Sequence, residues 1–170
     1  MELTNRNIQE FSAKIFSLWH HKWFLLTSGD FDKNEYNTMT VAWGSLGVMW
    51  NRPFAQVVVR PTRFTFEFME KYDTFTLTAF PAEYKSDLEL LGTKSGRDGD
   101  KIGETKLDII PSKKVAAPAF EQAEIIIECK KLYWQDFDPK QFIDQKIDLN
   151  YPNKDYHRIY YGEILCIQQK

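Results

Sequence analysis

Residues 37–65 read NTMTVAWGSLGVMWNRPFAQVVVRPTRFT, and two strand patterns follow each other here with no helix between them. The first starts near Asn37 and runs to Trp50. The second, Phe54–Arg60, is rich in β-branched residues, which suit a pleated, half-buried surface. Parallel neighbours need a crossover, usually a helix, so strands joined this closely argue for an antiparallel sheet. Gly44 and Gly47 interrupt the first strand, and a glycine there often marks a bend or the close approach of a ligand.

Working outward, Trp23–Thr27 reads as a strand ending at Gly29, and residues 30–35 as a charged hairpin connection. An amphipathic helix is expected over about 5–18, with Phe11, Ile15 and Leu18 on one face. Pro61-Thr62 opens a helix that runs to Tyr72, with Thr62 as its N-cap. Residues 74–80 alternate as a strand, and residues 83–91 form a second helix closed by Gly92. The loop 93–104 is polar and glycine-rich, a composition that ligand-binding loops share. Strands are expected over 108–111, 123–134 and 158–168, with a helical turn at 139–143. The fold class is therefore mainly β: an antiparallel Greek-key barrel with inserted helices, residues 1–170 forming a single domain.

Composition narrows the function classes. With 43% hydrophobic and 15% aromatic residues among 170, the chain can bury a core without disulfides or metals. A net charge of -2 and no basic stripe argue against nucleic acid, although Trp19, Trp23, Trp43, Trp50 and Trp134 could stack on bases. No apolar run is long enough to span a bilayer, and MELTNRNIQEF lacks the basic-then-apolar order of a secretory signal, so a cytoplasmic location is expected. Cys129 and Cys166 form no CxxC motif and read as small buried hydrophobes. His20, His21 and His157 have no metal-ligand spacing, and no ordered triad for hydrolysis is visible.

Two stretches can carry chemistry. In Arg60-Pro61-Thr62-Arg63-Phe64-Thr65, two arginines and two hydroxyls gather where a strand gives way to a helix. Helix N-termini offer free N–H groups, and arginine forks match phosphate oxygens. The plain alternative is a capping Thr62 between two solvated arginines. In Asn37-Thr38-Met39-Thr40 and Trp43-Gly44-Ser45, polar residues fill successive positions of a strand. They could face a flat heteroaromatic ring, or an edge strand could turn them to water.

NTMTVAWGS followed by RPTRFTFEFME resembles the flavin reductase-like family with the FMN-binding split barrel, above all its flavoredoxin-like branch. Asp155-Tyr156-His157 leading into IYYGEIL is similar to that family's closing segment, and the resemblance runs from about residue 20 to the end. It implies FMN at a homodimer interface. Asn37, Thr38, Met39 and Thr40 would line the isoalloxazine, Ser45 would lie near the ribityl chain or phosphate, and Arg60, Thr62, Arg63 and Thr65 would hold the phosphate. Lys94, Ser95 and Lys101 would come from the glycine-rich loop. A Gly-Asp-His triplet at this place in related reductases is associated with the nicotinamide cofactor. Here it is interrupted, with Lys154 where a glycine would stand and Tyr156 before His157, which makes NAD(P)H use less firm than FMN binding. The implied function is an oxidoreductase passing reducing equivalents between NAD(P)H and flavin. An electron carrier working with a redox partner protein, and a non-enzymatic flavin-binding barrel, are the alternatives.

Overall fold

The structure, a computed structural model, describes residues 2–170. In chain order the strands are β1 (Thr4–Arg6), β2 (Phe24–Asp30), β3 (Glu35–Val41), β4 (Gly44–Met49), β5 (Arg52–Val59), β6 (Thr74–Ala79), β7 (Ile109–Ile110), β8 (Ala119–Phe120), β9 (Ile125–Asp136) and β10 (Arg158–Gln169). The α-helices are α1 (Ile15–Ser17), α2 (Phe64–Lys71) and α3 (Lys85–Thr93). One sheet runs β3-β2-β6-β9-β10-β5-β4, antiparallel throughout, with β1 added along β10; β7 and β8 form a separate pair. The two ends of this path, β3 and β4, are consecutive in the chain and joined by Ala42-Trp43 alone. The sheet must therefore curl until its edges meet at that corner, which gives a split β-barrel.

The expected strand over 37–50 is thus two strands at opposite ends of the sheet. Gly44 makes the corner possible: a Cβ there would lie 2.4 Å from the Gln56 carbonyl oxygen and 2.4 Å from the Trp19 ring. Other expectations need correction. The helix over 5–18 does not form; Thr4–Arg6 pairs with Ile167–Gln169, and Ile8, Phe11 and Ile15 pack singly against the core rather than as one stripe. Thr62 is not the N-cap of α2, which starts at Phe64 with Arg63 in the capping position and no side-chain cap. Gly92 is not beyond the end of α3 but inside it, where a Cβ would come within 3.0 Å of the Thr40 Cβ. Close packing of α3 on β3, and not helix termination, is what that glycine serves.

The barrel interior is filled by Leu26, Val57, Val59, Leu77, Ile127 and Tyr160, all inaccessible to solvent. Each aliphatic side chain buried this way contributes about 1.5–3 kcal/mol. A second cluster, Leu25, Leu88, Leu91, Phe120 and Ile126, lies on the other side of β2 and β9 beneath α3. Both faces of β2 are consequently covered, which explains why FLLTSG is buried along its whole length rather than on alternate residues. The outer face of β4, β5 and β10 has no such cover, and Trp50, Tyr133 and Tyr161 gather there with ring centroids about 6 Å apart.

Candidate functional site

Two adjoining clefts share Met39 and Arg63. The first, about 150 Å³, is lined by Asn37, Met39, Thr62, Arg63, Thr65, residues 91–97 and Lys101. It lies where β3, the start of α2 and the loop after α3 converge. Asn37 is buried and donates through Nδ2 to the Thr65 hydroxyl at 2.7 Å, which ties β3 to the first turn of α2. Gly96 lets the loop settle on this pair, since a Cβ there would sit 2.2 Å from Asn37 Oδ1. Arg97 then straps the loop to α2, donating to the Thr62 carbonyl at 3.2 Å and to Glu67 at 2.5 Å.

Charge is the decisive property of this cleft. Lys101 is only 5% exposed, and its ammonium donates to the Leu91 and Lys94 carbonyls at 2.8 and 3.0 Å. Burial, and then the nearby Arg63 guanidinium, pull its pKa down to about 8. Arg63 makes one long contact, 3.5 Å to the Gly92 carbonyl, and no ion pair among the described residues. Among the described residues no carboxylate lines the cleft. Lys94, at the rim, is paired with Glu104. Buried Lys101 and exposed Arg63 have no carboxylate partner among the described residues, and with the Thr62 and Thr65 hydroxyls beside them they are a donor set of the kind that suits an anion.

The second cleft is lined by Met39, Thr40, Ala42, Trp43, Val58, Arg60, Arg63 and His157. Its arginine behaves differently. Arg60 donates to both Asp155 oxygens at 2.8 and 2.9 Å and to the Asn150 carbonyl at 2.7 Å, and its guanidinium lies 4.9 Å from the Tyr151 ring centroid. The pair holds the Asp155 carboxyl below its ordinary range. Arg60 therefore anchors the 150–157 segment to the end of β5. Lys154 in that segment has a φ of 55°, the left-handed conformation that a glycine takes most easily. His157 sits 5.2 Å from the Trp43 ring, with Nδ1 2.8 Å from the Tyr151 hydroxyl. Burial first, then Arg60 and Arg63, hold its imidazole down to about 4, with Asp155 opposing them.

The structure therefore brings Asn37, Met39, Thr62, Arg63, Thr65, Lys94, Ser95 and Lys101 to one cleft, and Met39, Thr40, Arg60, Arg63 and His157 to its neighbour. Two expected residues lie elsewhere. Thr38 is fully buried on the Thr27 side of β3, its hydroxyl accepting from Thr27 at 3.0 Å and donating to the Leu26 carbonyl at 3.1 Å, and it lines neither cleft. Ser45 lies beyond the Trp43 corner and donates to Gln56 Oε1 at 2.9 Å, in a recess formed with Phe16, Trp19 and Leu46. Residue-type reasoning did not single out Tyr151 or Arg97. No local signal marks Tyr151, but Arg97 stands in the glycine-rich loop already picked out.

The curled antiparallel sheet whose edges meet at the Ala42-Trp43 corner is a split barrel, and it carries a cationic cleft at a strand-to-helix junction. The flavin reductase like domain matches residues 17–167, and the chain belongs to the flavin reductase-like family. An uncharacterized protein of Pyrococcus abyssi is 28% identical over 156 residues, covering 90% of this chain and 76% of its own length. Among solved structures, the flavoredoxin of Desulfovibrio vulgaris (Miyazaki F) aligns with a TM-score of 0.68 at 19% identity, covering 95% of this chain and 75% of that one. A Shewanella frigidimarina putative flavin reductase with a split barrel domain aligns with a TM-score of 0.67 at 15% identity, over 98% and 79% of the two chains. At such identities these structures speak for the fold. No helix of the described residues is long and apolar enough to cross a membrane.

Proposed function

We propose that this chain is a single-domain FMN-binding oxidoreductase that passes reducing equivalents between NAD(P)H and flavin. The observation that carries the reading is the carboxylate-free cleft in which buried Lys101 and unpaired Arg63 face the Thr62 and Thr65 hydroxyls. These four residues would hold the FMN phosphate, with Lys94 and Ser95 at the rim. Asn37, Met39 and Thr40 would follow the ring, Asn37 through the β3 backbone. Bound flavin supplies the hydride and electron chemistry, and the protein fixes its position and environment. Arg60 serves this site by holding the 150–157 segment rather than by touching the phosphate, since its charge is already answered by Asp155 and its Nη1 and Nη2 groups donate to Asp155 and the Asn150 carbonyl.

The assembly that goes with this reading is a cytoplasmic homodimer, its second copy covering the outer face where Trp50 is 55% and Tyr133 45% exposed. Membrane and nucleic acid have no part in it. The altered triplet around Lys154 favours one further reading, a flavoredoxin-like carrier that exchanges electrons with a redox partner protein. An absorbance spectrum of the purified protein, before and after FMN addition and desalting, tests the cofactor. About one retained FMN per chain supports it, and a colourless protein under both conditions sinks it. Steady NADH or NADPH consumption then selects the reductase, whereas retained flavin inert to both selects the carrier.

A further inference from the structure

The second cleft carries an assignment of its own. Tyr151 is 1% exposed, and its hydroxyl has one hydrogen-bond partner among the described residues, His157 Nδ1 at 2.8 Å. If Nδ1 carried a proton, the tyrosine O–H would be left buried with no acceptor, at a cost of an unmade hydrogen bond. The hydroxyl therefore donates, and Nδ1 is the acceptor. The opposite nitrogen, Nε2, has no protein partner among the described residues and stays open to the cleft. The charged groups around the ring are Arg60 from the end of β5, Arg63 from the start of α2 and Asp155 from its own segment. Burial first, and then the two arginines, disfavour the imidazolium near neutrality, with Asp155 opposing them.

We propose that Tyr151 is a positioning residue which fixes His157 as a neutral Nε2–H donor facing the cleft, suited to an uncharged carbonyl oxygen on a bound planar ring. The assignment deepens the flavin reading, because the cleft adjoins the one given to the phosphate, but its test does not depend on flavin. Arg60 completes the chain of support. Its guanidinium lies over the Tyr151 ring while Phe142 stacks at 6.2 Å and Tyr156 packs at 4.9 Å, so the phenol has little freedom to leave His157.

The test is ¹⁵N NMR of the full chain labelled at its histidines, with His157 assigned by its loss in His157→Gln. The expected result is one pyridine-type nitrogen and one protonated pyrrole-type nitrogen, placed at Nε2 and unchanged between pH 6 and 8. Tyr151→Phe keeps the ring packing and should collapse that preference into a tautomer mixture, with its fold checked by near-ultraviolet circular dichroism. An imidazolium at pH 7, a proton on Nδ1, or a tautomer unmoved in Tyr151→Phe overturns the assignment; the first two need no variant. FMN is then added to the wild-type sample and its retention read by absorbance. A fixed tautomer without retained FMN supports the Tyr151 assignment and removes the flavin reading. Retained FMN that leaves the Nε2–H resonance unmoved overturns the role in carbonyl recognition.

Discussion

Arg60 and Arg63 stand three residues apart in the chain and line the same cleft wall, yet the fold treats them in opposite ways. Arg60, 24% exposed, meets a carboxylate, a carbonyl and an aromatic face, and its charge is answered within the protein. Arg63 is exposed and has only a long contact to a carbonyl, while buried Lys101 beside it has carbonyls alone. The same split divides the two clefts. In one, Lys101 and the shared Arg63 have no carboxylate partner among the described residues, although Lys94 and Arg97 at its edge are paired. In the other, the arginine is paired and the histidine is held neutral. A charge already paired in the fold supports structure, and a charge left unpaired in a recess is available to a ligand.

The sharpest break of this comparison exchanges the fates of the two arginines. Arg63→Ala should weaken FMN binding by about 1.5–3 kcal/mol, roughly tenfold or more, in a calorimetric titration, because a charged hydrogen bond is lost. Unchanged affinity there would remove the phosphate assignment. Next in size is pH. Lys101 is charged below its pKa of about 8, so FMN affinity should fall as pH rises through that value, by at most about tenfold per unit. Lys101→Met should bind more weakly and lose that slope. For the free protein the sign is opposite. The unfolded lysine, near 10.5, keeps a proton that the native one gives up, so stability should rise between pH 8 and 10.5 as the buried charge disappears.

Arg60→Ala should act mainly on folding. A melting temperature lower by about 2–4 °C, the shift of one lost charged contact in a chain of this size, should come with a smaller loss of FMN affinity than Arg63→Ala. The reverse ranking would put Arg60 on the phosphate after all. The smallest effect is expected at Ser45, whose hydroxyl serves Gln56 in a separate recess. Ser45→Ala should leave flavin retention unchanged and shift stability by about 0.5 kcal/mol or less. A clear loss of retained FMN would mean that the recess beyond Trp43 reaches the cofactor.

Much of the fold was legible because it rests on local patterns. The β-branched run before Arg60, the alternation over residues 74–79 and the long closing strand appear where periodicity placed them. The failures have tertiary causes. Gly92 near a helix end reads as a cap, but its use is to let α3 lie on Thr40 of β3. Residues 37–50 read as one strand, and only the corner at Ala42-Trp43 sends its halves to opposite edges of the sheet. The N-terminal apolar residues have helical spacing, but a free edge of β10 and single gaps in the core draw them apart.

By itself the sequence determined the antiparallel β class, the absence of a long apolar span and the gathering of arginines and hydroxyls at residues 60–65. It also carried the motif pair that points to a flavin. Which of those arginines keeps a free charge was decided by the tertiary structure alone. Asp155 is 95 positions away from Arg60 and Lys101 is 38 away from Arg63, so no local spacing couples them. Residue types and short-range periods are properties of the chain, whereas charge pairing and burial depend on distances that exist only once the barrel has closed.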